Sequence, residues 1–287
     1  MKKIIPIKYL SLLLCCFIQL GSLHAQTNTS KIQLTKGQTF LVTSIDSSDT
    51  KQKRGEDNMD MKSFSVSTIA YEVLEVKENS YLIRSTLQKI KINSDAFGMK
   101  MDYDSEDPAK QEGMFAEQIK GRVGKSDTLE IGMDGKKIEK EEKEKKPGNG
   151  RGGRGGMGMM GMMKGQSGGT ENLFLLIPAE ATEGKGWKVD DGKENIRTQT
   201  IYFMDKVEGN TAQVSFKRKK KGTRTFNGQG GEGSVDIDNL SEGSLTVNLS
   251  TGLVSAFKET VNINMKTLMM GQESPSTGVS VSVMEVR

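Results

Sequence analysis

Five methionines, Met157, Met159, Met160, Met162 and Met163, stand close together in a glycine-rich run at residues 147–170. Thioethers are soft donors that suit Cu(I), and a flexible glycine backbone would let several converge on one ion at an entropic cost. They are the candidate metal ligands of this sequence. The preferred competing reading is a low-complexity linker whose methionines hold nothing, and no cofactor is expected.

Two charged clusters invite similar questions. Asp102, Asp104, Glu106 and Asp107 bring carboxylates together as a calcium loop does. Counted from Asp102, however, an EF-hand needs glycine where Asp107 stands and glutamate where Gly113 stands, so a solvated acidic loop is preferred. The run KRKKK at residues 217–221 could hold phosphate or anionic headgroups. A charged strand end that blocks edge-to-edge pairing is the simpler account.

What the chain lacks is as informative. Its only cysteines, Cys15 and Cys16, and its only histidine, His24, fall within residues 1–25. There Lys2, Lys3 and Lys8 precede an apolar run from Tyr9 to Leu20, and a short run from Ser22 ends in the small residue Ala25, the pattern of a secretory signal. Leu14 ahead of Cys15 is not the small residue a lipoprotein signal needs, so no lipid anchor is expected. Removal of residues 1–25 leaves a chain without thiol or imidazole. Cysteine nucleophiles, Ser-His-Asp triads, histidine zinc sites and disulfides are then excluded. Acid–base work would fall to carboxylate, lysine and tyrosine, which leaves a carboxylate-based hydrolase as the catalytic alternative, ranked last. The protein is expected not to be an enzyme.

Three of the 41 Lys and Arg and none of the 37 Asp and Glu lie in the signal, so the mature chain is close to neutral. Export and neutrality argue against nucleic-acid binding through the Arg-Gly-Gly units at Arg151 and Arg154.

The elements that must position any site read as strands. An apolar run begins at Gln38 after a Lys36-Gly37 turn, and residues 47–60 read as a long polar loop. Residues 61–76 and 81–92 form a hairpin about Glu78-Asn79-Ser80. The acidic loop leads to a predicted short helix over 108–119, and a strand at 128–133 turns at Asp134-Gly135. After the glycine/methionine run come the apolar residues 173–177, Trp187 beside a glycine turn, and a second hairpin at 196–221. Loops are predicted at 227–234 and 274–276, between strands at 244–249, 253–265 and 279–286.

The two hairpins correspond at one constant offset. Tyr71, Val73, Val76, Asn79, Tyr81 and Ile83 match Tyr202, Met204, Val207, Asn210, Ala212 and Val214. Leu129, Ile131, Met133 and Gly135 similarly mirror Leu245, Val247, Leu249 and Gly252. Such spacing indicates an internal repeat. The expected organisation is a signal at 1–25, a β half at 26–146, a disordered linker at 147–170 and a second β half at 171–287. The fold class is all-β, with antiparallel strands in a curved sheet, open barrel or sandwich and one short helix.

The ordered series KGQTF, YEVLEVKENSYLI, DSED, the DG turn, FLLIP, GKGW, YFMDKVEGNTAQV and STGLV resembles an exported bacterial family of unknown function, common in Bacteroidota. The resemblance implies an all-β fold and a periplasmic or cell-surface location, and brings no catalytic residues. The expected function is non-catalytic binding of an envelope protein or an apolar ligand, with at most a peripheral relation to the membrane.

Overall fold

The computed structural model describes residues 31–96, 99–112, 116–139, 170–193, 195–228 and 231–287. Residues 1–25, expected to be a signal, the five insert methionines and both Arg-Gly-Gly arginines lie outside these residues.

Eleven strands form one antiparallel sheet. They are β1 (Thr39–Arg54), β2 (Asp57–Val76), β3 (Ser80–Ala96), β4 (Met99–Asp104), β5 (Ser126–Gly132), β6 (Gly186–Lys193), β7 (Ile196–Glu208), β8 (Thr211–Gly228), β9 (Gly231–Asn248), β10 (Val254–Met269) and β11 (Gln272–Val286). Their spatial order is β4-β3-β2-β1-β11-β10-β9-β8-β7-β6, with β5 beside the start of β3. The first and last long strands, β1 and β11, meet at the centre. The sheet is curved and does not close. Its edges are held by the short strands β4, β5 and β6, which limits the free ladder open to another chain.

One face is the inner one. Along β1 it carries Phe40, Val42, Ser44, Asp46 and Thr50, all buried, while the alternate residues point outward. At its lower end this face holds a single core shared by both halves of the chain, including Phe40, Tyr71, Val73, Ile83 and Ile131 with Tyr202, Met204, Phe216, Val247 and Phe257. Two irregular segments plug its base. In one, Ile32 donates its N–H to Met133 and Gln33 donates to Thr251. In the other, Phe174 bridges Leu253, and Leu175 donates to Gly252. The Tyr81 hydroxyl donates to the Ile32 carbonyl at 2.8 Å, which satisfies the phenol inside the core.

The two hairpins that correspond in sequence share their irregularities. The pairing shifts between Val73 and Glu75 in β2 and between Met204 and Lys206 in β7. Gly37 and Gly184 each donate to the strand residue just before the shift, Val73 and Met204, both at 2.8 Å. Their φ values of 80° and 77° are ones that glycine adopts without strain. Phe40 stacks on Tyr71 and Trp187 on Tyr202, each pair with centroids 5.2 Å apart.

Several expectations are corrected. Residues 47–60 are not a loop. β1 and β2 run through them and turn near Gly55, because the hydroxyls and charges keep the strand alternation even though hydropathy does not. Residues 227–234 likewise fall almost wholly within β8 and β9. Residues 274–276 lie within β11, where Pro275 pairs with β10 one residue beyond the end of the β1 ladder, so its missing N–H breaks no pairing there. The acidic loop contains strand β4. The helix predicted over 108–119 is a 3-10 turn, Pro108–Lys110, capped by the Asp107 carboxylate, followed by a five-residue helix α1 (Ala116–Lys120). Among the described residues, no helix is long and apolar enough to cross a membrane.

Candidate functional site

Above the plugged floor the inner face changes character in steps, and the register places each residue. The first step is aromatic. Trp187, Tyr202, Phe216 and Phe257 form an arc from β6 to β10, with successive centroids 5.2, 5.9 and 5.8 Å apart. Phe216 spans β9 because residue 243 is glycine. A Cβ there would lie 2.7 Å from the ring and 2.1 Å from the Lys258 carbonyl oxygen.

Beside the arc, in the register row of Tyr202 and Phe216, runs a buried polar belt. Asp46, Ser282 and Glu259 are cross-strand neighbours on β1, β11 and β10. Ser282 donates to Asp46 at 2.6 Å, and burial raises the Asp46 carboxyl above its ordinary value, more than the hydrogen bond lowers it. Glu259 accepts from Ser241 at 2.6 Å and from the Arg218 guanidinium at 2.8 Å. Arg218 also donates to Thr200 at 3.2 Å and lies 5.0 Å over the Phe216 ring. Glu259 is therefore fixed as the partner of a cation. Asp46 and Glu259 are the described buried carboxylates, and with β11 between them their backbones stand roughly 10 Å apart.

The two flanks of the inner face differ. On the β3–β4 flank the apolar residues Ile92 and Tyr103 are covered by Ala116 and Ile119 of α1, with Ile90 and Met101 packed alongside. On the other flank, Val261, Ile263 and Met265 of β10 and Ile237 and Val235 of β9 also face inward. They are only half buried and belong to neither core cluster. The result is a trough: an aromatic base, a belt of hydroxyls and paired charges, and an apolar wall with no protein layer of the described residues packed on it.

Sequence reasoning did not find this site. KRKKK is not a strand end: it sits in the middle of β8, which pairs with β7 and β9 throughout. Alternation sends Lys217, Lys219 and Lys221 outward and Arg218 and Lys220 inward. The parity continues from the buried Val214 and Phe216, which is the signal that could have separated them. The carboxylates of the predicted acidic loop are drawn apart by lysines. Asp102 pairs with Lys110, Asp104 with Lys91 and Glu106 with Lys89, while Asp107 caps the 3-10 turn.

Two hollows of ≈ 380 and ≈ 360 Å³ lie elsewhere, one beside Leu41, Ala70 and Glu72, the other beside Phe203, Lys217 and Lys258. Both lie on the outer face, lined by a mixture of apolar and polar outward-pointing side chains.

No protein-family model matches the chain, and no curated protein does. Among solved structures, a lipovitellin described for its lipid–protein interactions matches with TM-score 0.49 and 6% identity. The match covers 89% of this chain and 25% of that one, so this chain spans a quarter of that protein's length. An outer membrane channel from Pseudomonas putida F1 matches with TM-score 0.25 and 8% identity, over 90% of this chain and 98% of the other. These likenesses extend to runs of antiparallel strands and no further.

Proposed function

We propose that this is a non-catalytic exported protein of the cell envelope that holds an apolar or amphiphilic ligand along the inner face of its open sheet. One observation carries the reading. Val261, Ile263, Met265, Ile237 and Val235 line the inner face half buried with no described layer on them, whereas the apolar residues Ile92 and Tyr103, in the belt row on β3 and β4, are covered by α1. Covering such residues with apolar groups stabilises by about 25 cal/mol for each Å² removed from water, so an acyl chain laid on them gains binding energy without any rearrangement of the sheet. The polar belt at its foot offers hydrogen bonds to a head group. The signal-like N-terminus supports an envelope location, periplasmic or at the cell surface, and the matching three-stranded units support descent from one duplicated module.

The carboxylate-hydrolase alternative draws on Asp46 and Glu259. It ranks below the binding reading because Glu259 is held by Arg218 and Ser241.

The test is native mass spectrometry, with lipid extraction, of protein purified from its own envelope. The expected result is a co-purifying amphiphile that is lost from an Ile263→Asp, Ile237→Asp variant of unchanged fold. Wild-type protein emerging empty and taking up no added amphiphile would overturn the reading.

A further inference from the structure

The trough carries a charge that its ion pairs do not use. β8 contributes three cations to the inner face: Arg218, Lys220 and Arg224. Arg218 is committed to Glu259. Lys220 and Arg224 are exposed, and among the described residues neither makes an ion pair or side-chain hydrogen bond. In the Lys220 row the nearest acid is Asp191, two strands away beyond Thr198, and it faces Lys136 at 3.5 Å. Leaving two like charges unpaired on one strand face gains the fold nothing.

Their place is specific. Lys220 stands opposite Asn239, and Arg224 stands opposite Val235; Ile237, between those two on β9, is paired with Met265 of β10. The cations therefore border the uncovered apolar wall. They are four residues apart on a strand, about 13 Å at the backbone, a gap that two side chains of this length can close onto one head group. Guanidinium and ammonium groups both hold carboxylate and phosphate oxygens through charge-assisted hydrogen bonds.

Resting on the reading of the trough as a binding site, we propose that its ligand is an anionic amphiphile. Its carboxylate or phosphate head lies between Lys220 and Arg224, and its chain lies along Ile237, Met265 and Ile263. The belt's own acids sit lower: Glu259 is paired with Arg218, and Asp46 lies on β1 with three strands between it and β8.

The experiment is calorimetric titration of the full mature chain, below micelle-forming concentrations, with dodecyl phosphate, dodecanoate, dodecyl maltoside and inorganic phosphate. Dodecyl phosphate and dodecanoate are expected to bind at least about tenfold more tightly than the maltoside, with the advantage shrinking as salt is raised. In a Lys220→Glu, Arg224→Glu variant that advantage disappears, while maltoside binding and Tm stay unchanged. A Lys220→Gln, Arg224→Gln variant gives the same direction without adding repulsion. Equal binding of charged and uncharged amphiphiles overturns this proposal and leaves the trough standing. Failure of every amphiphile to bind overturns both. Inorganic phosphate binding as tightly as dodecyl phosphate would show a simple anion site, and would also overturn the proposal.

Discussion

The three-stranded unit β1–β2–β3 and the unit β6–β7–β8 share their irregular features and differ where their inner faces rise above the floor. Both begin with a left-handed glycine, Gly37 or Gly184, that bonds to the residue before a bulge. Both stack an aromatic pair at the same level, and both accept a hydrogen bond at the hairpin asparagine, Asn79 from Met133 and Asn210 from Leu249. Higher up they part. The first unit shows small neutral hydroxyls such as Ser44, Ser67 and the bonded pair Ser48 and Ser63, together with Asp46. The second shows Arg218, Lys220 and Arg224. The shared part lies where both units must fill one core. The divergent part lies where the sheet opens, which is where a ligand would be recognised.

The comparison can be broken from the floor upward. The largest effect is expected at the aromatic arc. Phe216→Ala should cost about 3–5 kcal/mol of stability by chemical denaturation, because the ring fills the space over Gly243 and touches both Tyr202 and Phe257. A loss below about 1 kcal/mol would mean that the arc is not core. One step higher, Arg218→Met should cost about 3 kcal/mol by leaving Glu259 buried without its cation, and a second change, Glu259→Gln, should recover much of that loss.

At the belt, pH dependence tests the buried acid of the first unit. Burial holds the Asp46 carboxyl above its unfolded value of 3.8, so the folded protein binds that proton more tightly than the unfolded chain. The stabilisation of the protonated form is complete below about pH 3.8 and is lost as pH rises through the raised folded value. Asp46→Asn should therefore raise Tm at neutral pH, with the gain vanishing below the ordinary aspartate range. A gain that is the same at all pH values would remove the role of burial. The smallest effect is expected at the edge strand. The Trp187 indole N–H has no hydrogen-bond partner among the described residues, so Trp187→Phe should keep the stack on Tyr202 and change stability by no more than about 1 kcal/mol in either direction.

Much of the floor was legible in the sequence. Alternation and turn chemistry located both hairpins, and the constant offset from Tyr71 to Tyr202 picked out residues that the structure buries in one core. The upper sheet was illegible for a physical reason. In residues 47–60, serine, threonine, aspartate and lysine take alternate faces, and none of them carries the hydropathy contrast that marks a strand. Their pairing is imposed by the partner strand. The same holds for KRKKK, where composition suggested one patch and the register made two. The insert methionines, first in chemical interest, lie outside the described residues, and their copper affinity is a matter for direct Cu(I) titration with and without residues 157–163.

The central claim is that the inner face of the upper sheet takes an amphiphile and the outer face does not. The chain has no cysteine beyond Cys15 and Cys16, so a single environment-sensitive fluorophore can be placed at will. Ile263→Cys puts it on the inner wall, and Val281→Cys puts it on the outer face of the neighbouring strand. On addition of dodecyl phosphate the label at 263 should shift to the blue and saturate, while the label at 281 stays unchanged. Equal shifts at both positions, or a shift at 281 alone, would contradict the account.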